Sequence, residues 1–132
     1  MAMKKVFAVA LIIGIIIGIS GCTQIRIPQG ELAVIKYDEA YTGGTTKFVE
    51  TLSQEDSAKV RSVLTNAKYN PGVGGCPFDE RVSFGFGDQV FLLSLDGCGI
   101  ICDPQNETYY EVNREDWSYI VSLFERYGGR LQ

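Results

Sequence analysis

Three thiols set the chemistry open to this chain. Cys76 stands in a Gly-rich stretch, residues 70–77, while Cys98 and Cys102 lie four apart in Cys98-Gly99-Ile100-Ile101-Cys102. Held together, the three would form a soft-metal site, and any two of them a thiol-exchange couple. Exchange centres of the thioredoxin type, however, place two residues between their cysteines, not three, and a metal usually takes a fourth ligand. On an extended segment Cys98 and Cys102 are too far apart to bridge, because the Cα atoms of a disulfide come within about 7 Å. Joining Cys76 to Cys98 would clip the glycine loop to the Asp96-Gly97 turn, worth roughly 3 kcal/mol in the chain-entropy view. Cys76 with Cys98 is therefore the expected pair and Cys76 with Cys102 the alternative. The leftover Cys102 thiol then serves as a small buried hydrophobe.

Other chemistry is scarce. The chain has no histidine, which removes Ser-His-Asp and Cys-His catalysis, imidazole metal ligands and the commonest base at neutral pH. Carboxylates do come in pairs: Asp38 with Glu39, Glu55 with Asp56, Asp79 with Glu80, Glu115 with Asp116. Each pair falls at a turn or a helix start, where acids cap backbone N–H groups and meet the positive end of the dipole. The glycine loop lacks both the Gly-Lys-Ser/Thr ending and the preceding strand of a phosphate cradle. Between Asp96 and Asp103, Cys98 and Ile100 stand where a calcium loop needs oxygen ligands. No catalytic residue, cofactor or bound metal is expected, and the chain is not expected to be an enzyme.

Lys4 and Lys5 precede an uncharged apolar run, residues 6–19, which leads into Ile19-Ser20-Gly21-Cys22. A cationic start, an apolar stretch of this length and a small-residue junction make a secretion signal. The junction resembles the lipobox of bacterial lipoprotein precursors: a branched apolar residue, a small one, Gly or Ala, then Cys. That resemblance implies that the Cys22 thiol receives a diacylglyceryl group and that cleavage makes Cys22 the first residue. It implies a domain held at the extracytoplasmic face of a cell membrane by lipid, with residues 1–21 as the signal peptide. Two acyl chains hold where one does not, since each buried methylene contributes about 0.8 kcal/mol. The alternative, an uncleaved spanning helix, is opposed by Ser20, Gly21, Thr23 and Gln24, which dilute the run where a span would continue. An exported chain also meets an oxidising compartment, which favours the disulfide. In a bacterial cell the Asn106-Glu107-Thr108 sequon is a turn.

Cleavage would remove Lys4 and Lys5, leaving ten basic residues against all sixteen acidic ones, a net charge of −6. Such a chain is a poor partner for nucleic acid. Residues 22–132 suffice for one core. The expected plan is a short tether over residues 22–30 and a single domain over residues 31–132.

Residues 32–41 and 45–51 are rich in β-branched and aromatic side chains around Gly43-Gly44, which predicts a hairpin. Ser53 with Asp56 predicts a capped helix over residues 53–68, stopped by Asn70-Pro71-Gly72. Residues 82–86 and 89–95 form a second hairpin about Gly87-Asp88, and the latter strand, apolar on both faces, is expected at the centre of its sheet. Short strands follow at 100–102 and 108–112. Asn113 with Asp116, and Val112 with Trp117, are the cap and staple of a last helix with Trp117, Ile120, Val121 and Phe124 on its apolar face and Gly128-Gly129 at its end. The fold class is α+β: an antiparallel sheet built from hairpins with two helices on one face, in the order ββαβββα.

Seven tyrosines are many for this length. Tyr109 and Tyr110, adjacent on one strand, face opposite sides, and they are the binding candidates. The expected function is a lipid-anchored extracytoplasmic module of the bacterial cell envelope that binds a protein, peptide or polymer there. A small thiol-redox or metal-binding protein using Cys76, Cys98 and Cys102 is the alternative.

Overall fold

The computed structural model describes residues 24–72 and 75–131. These form an antiparallel seven-stranded sheet with two α-helices packed on one face, the expected α+β class. The strands are β1 (Val34–Asp38), β2 (Lys47–Thr51), β3 (Lys68–Tyr69), β4 (Ser83–Phe86), β5 (Gln89–Leu93), β6 (Ile100–Asp103) and β7 (Thr108–Glu111). In space they run β2-β1-β4-β5-β6-β7-β3. β5 is the fourth of seven, at the centre as its two apolar faces require. Among the described residues five strands stand between the two helices: the four segments expected at 82–86, 89–95, 100–102 and 108–112, which the order ββαβββα undercounts as three, and one more. The one that sequence missed altogether is β3, two residues that pair with the far edge of β7 through Lys68–Glu111 and Tyr69–Tyr110.

The first helix, α1 (Gln54–Asn66), starts as expected: the Ser53 hydroxyl accepts from the Asp56 N–H at 3.1 Å. It ends earlier than expected, because Ala67 is already extended and turns the chain into β3. The second, α2 (Arg114–Arg126), is capped by Asn113, whose side chain accepts from the Asp116 N–H at 2.8 Å. Its buried face is Trp117, Ile120, Leu123 and Phe124; Leu123 takes the core position expected for Val121, which is half-buried at the edge. Gly128 at φ 94° closes the helix in the left-handed conformation that glycine adopts without steric cost. Asp56 joins the helices, accepting from Tyr119 Oη at 2.9 Å and from Arg126 at 2.6 Å. This explains one acidic pair as structure.

The first hairpin departs from the tight Gly43-Gly44 turn. Asp38 accepts from the Ala40 N–H and nucleates a 3-10 turn, Glu39–Thr42, so the strands separate before the glycines are reached. Alternation along the paired strands puts Ile35, Tyr37, Phe84, Phe86, Phe91, Leu93, Ile101 and Tyr110 against the helices, all buried in one core cluster. On the opposite face Leu92, Ile100 and Cys102 are buried outside that cluster. Phe78, from the segment that enters β4, packs on Tyr109 there, ring centroids 5.8 Å apart.

Residues 24–30, expected as a tether, are packed onto the domain. Ile25 and Ile27 are buried in the core cluster. Gln24 donates to the Thr65 carbonyl, and Gln89 at the start of β5 donates to the Arg26 carbonyl. Further along, Arg61 donates to the Glu31 carbonyl, and the Ser57 hydroxyl accepts from the Ala33 N–H at 2.9 Å. Among the described residues the core packing therefore reaches back to Ile25, ahead of Glu31.

Candidate functional site

β1 and β5 run the same way, since both are antiparallel to β4 between them. Their starts carry the N-terminal segment, which leads directly into β1 and is bonded at Arg26 by Gln89 on β5. Their ends carry a cleft of about 720 Å³, lined by Tyr37, Glu39, Tyr41, Leu95, Glu125 and Arg130 among others. That volume falls within the range of small-molecule and peptide-side-chain sites.

The cleft is closed by the chain after α2, which folds back so that the Gly129 N–H bonds the Phe124 carbonyl at 2.9 Å. The Tyr37 ring is buried between Tyr41, edge-on at 6.5 Å, and Phe48, stacked at 5.3 Å. Its hydroxyl accepts from the Arg130 N–H at 3.2 Å and lies within donating distance of the Arg130 carbonyl and a Glu39 carboxylate oxygen, 3.4 and 3.5 Å. Glu39 also accepts from the Thr46 N–H. A Cβ at Gly44 would overlap that carboxylate, so glycine there is what lets Glu39 turn inward. Burial, followed by the neighbouring Tyr37, pushes the Tyr41 phenol up to about 12. It stays neutral at physiological pH and offers a hydrogen bond and a ring face, not a base. Two carboxylates, two phenols and one guanidinium around a half-enclosed space suit a ligand with an amine, a carboxylate and some apolar area.

A second cluster occupies the same end of the sheet. Cys76, Cys98 and Asp96 place two sulfurs and a carboxylate oxygen within 4.8 Å of one another. The Asp96-Gly97 turn does this: Asp96 accepts from the Cys98 N–H at 3.2 Å and keeps its carboxylate beside the thiol. The other arm is held by the Leu95 N–H, which bonds the Pro77 carbonyl at 3.0 Å. Leu95 also lines the cleft, so cleft and thiols share a wall. No bridge joins the three thiols in this structure. The carboxylate of Asp96, which accepts a hydrogen bond from the Cys98 S–H, pushes that thiol up to about 12, with Cys76 adding to it. The same bond lowers Asp96. A thiol so raised is neither a ready nucleophile nor a good leaving group.

The expected site residues divide accordingly. The Cys76 and Cys98 sulfurs lie within 4.8 Å of each other, but both thiols are free, so the expected bridge is not formed in this structure. Cys102, the third thiol of the alternative reading, does not belong to the cluster; Asp96 stands in its place. Cys102 lies on β6, register-paired with Leu92 and Tyr109, and burial raises its thiol. Tyr110 is not a binding residue: it is 5 % exposed, part of the core and packed on Tyr69. Tyr109 does face the other way, half-buried under Phe78. Asp79 holds Arg81 through two side-chain bonds, 2.8 and 2.7 Å, again a structural acid. Cys22 and the apolar run lie outside the described residues; within them, no helix is long and apolar enough to cross a membrane.

Sequence missed Glu39, Glu125 and Arg130 as site residues. Nothing local marks them, because the fold-back after α2 brings positions about ninety apart together. Comparison of the chain with protein-family models, curated proteins and solved structures finds no match.

Proposed function

We propose that this protein is a lipid-anchored extracytoplasmic binding module of the bacterial cell envelope, held by Cys22 and taking a peptide or envelope polymer in the cleft of Tyr37, Glu39, Tyr41, Glu125 and Arg130. One observation carries the reading: the cleft opens at the strand ends opposite those that pack the N-terminal segment. A chain tethered by that segment presents the cleft outward. Glu39 and Glu125 receive a cationic group, Arg130 an anionic one, and Tyr41 stacks on apolar area between them.

In this reading Cys76 and Cys98 form a disulfide that fixes the loop behind Leu95. The raised Cys98 thiol favours a durable clip over an exchange couple. The alternative of a soft-metal site would use Cys76, Cys98 and Asp96, the cation displacing the thiol protons. Non-reducing peptide mapping together with metal analysis of the same sample separates the two. A linked Cys76–Cys98 pair without metal is expected; free thiols with bound metal would reverse the assignment.

The binding reading is tested by nuclear magnetic resonance on the soluble Cys22→Ser chain, titrated with peptides and glycan fragments released from envelope polymer. Shifts confined to residues 37–42 and 125–131, lost in a Glu125→Gln, Arg130→Ala variant, are expected. Shifts centred on Tyr109 and Phe78 would place the site on the other sheet face.

A further inference from the structure

The packed N-terminal segment fixes how far the domain can stand from its anchor. Gln24 is tied to Thr65, and Ile25 and Ile27 are buried. Between Gln24 and Cys22 there is only Thr23, and two residue steps of extended chain span at most about 7 Å. The segment runs beneath the starts of β1 and β5, where the Gly87-Asp88 turn is bound to the next one by Gln105, which donates to the Asp88 carbonyl at 3.2 Å.

We infer that this end of the domain lies flush against the lipid surface, with Arg26, Leu32 and the Gly87-Asp88 turn at the headgroups. The inference rests on lipid attachment at Cys22. Its partner is the bilayer itself, because with so short a reach no other molecule fits between. Arg26 and Leu32 are exposed there, Leu32 at 41 %. Charge does not draw this end to an anionic membrane: its acids Glu31, Asp88, Asp103 and Glu107 outnumber Arg26 and Arg61. The covalent anchor and the packed segment hold it, so the contact is insensitive to salt and to headgroup charge. One consequence is a fixed orientation, with cleft and thiols on the far side and ligands arriving from the envelope space.

Trp117, the single tryptophan, packs against Gly99 at the thiol end, so a Leu32→Trp, Trp117→Phe protein, which serves as the parent, puts the donor for energy transfer to dansyl-labelled headgroups at the exposed position 32. The full-length processed protein is placed in phosphatidylcholine vesicles and compared with a variant carrying twelve Gly and Ser residues between Thr23 and Gln24. That spacer reaches about 20 Å. A marked loss of transfer in the spacer variant, and transfer in the parent that high salt leaves unchanged, are expected. Equal transfer from both proteins, or parent transfer that salt abolishes, would overturn the flush contact. The mass of the N-terminal peptide is read from the same preparation. A Cys22 peptide without the diacylglyceryl group overturns the anchor itself, and a lipidated peptide with equal transfer overturns only the contact.

Discussion

Where β1 and β5 begin, long side chains point their donors at backbone carbonyls: Gln24 to Thr65, Gln89 to Arg26, Arg61 to Glu31, Gln105 to Asp88. Where the same strands end, Glu39, Glu125 and Arg130 line open space, and two thiols meet a carboxylate. The first end is closed by bonds between side chain and main chain that tie down an otherwise extended segment. At the second, polar groups on separate elements are held close together around a cleft. Main-chain ties and open polar space are thus divided along the strand direction, and substitutions at the two ends should differ in kind.

The largest effect is expected at the closed end. Ile25→Ala with Ile27→Ala empties two buried sites, and such truncations cost about 2 to 5 kcal/mol each when fully buried. The pair should cost about 4 kcal/mol or more in urea melts of the soluble Cys22→Ser chain, a large part of a domain's usual stability. A loss under 1 kcal/mol would mean that the segment is a free tether after all, and the contrast between the ends would collapse.

At the open end the thiols should matter less. Cys76→Ala with Cys98→Ala should lower stability by about 2 to 4 kcal/mol in oxidised protein and by little in reduced protein. Cys102→Ala should cost only the burial of a small side chain, about 1 kcal/mol, whatever the redox state. A redox-dependent cost at Cys102 would relocate the clip and loosen the wall at Leu95.

Acid sharpens the comparison further. Side-chain hydrogen bonds from Arg81 hold Asp79 down at about 2, and Arg126 and then Tyr119 hold Asp56 below the ordinary carboxylate value. Groups lowered on folding stabilise fully above their unfolded value, near 4, and that contribution is lost as pH falls through the folded value. With no histidine to titrate, stability should be level from about pH 5 to 8 and fall between about 4 and 2. Asp79→Asn and Asp56→Asn should each flatten that fall in pH-dependent melts. A slope near pH 6.5 would point to a titrating group that these ion pairs do not explain.

Much of this architecture was legible in sequence, where local signals coincide with tertiary needs. Ser53 and Asn113 cap the helices, Gly87-Asp88 turns the second hairpin, and two-sided apolarity places β5 at the centre. The failures are long-range. β3 is two residues, too short to carry alternation, and exists because β7 offers an edge. Ile25 and Ile27 sit beside Pro28 and Gly30 in a stretch without periodicity, so only the core shows that they are buried. Tyr110 was indistinguishable from Tyr109 until the helices selected one face. Of the candidate site, the Cys76–Cys98 proximity could be read from turn chemistry, whereas the cleft could not, since it needs the chain after α2 to close on β1.

The polarity of the molecule is tested most directly by photo-crosslinking from two positions in intact envelopes, with benzoylphenylalanine replacing Tyr41 in one full-length protein and Leu32 in another. If the proposed anchor holds, position 41, in the cleft, should capture peptide or envelope polymer and no lipid, while position 32, beside the N-terminal segment, should capture lipid. Lipid adducts at position 41, or polymer adducts at position 32 alone, would contradict the assignment of the cleft to the outward end.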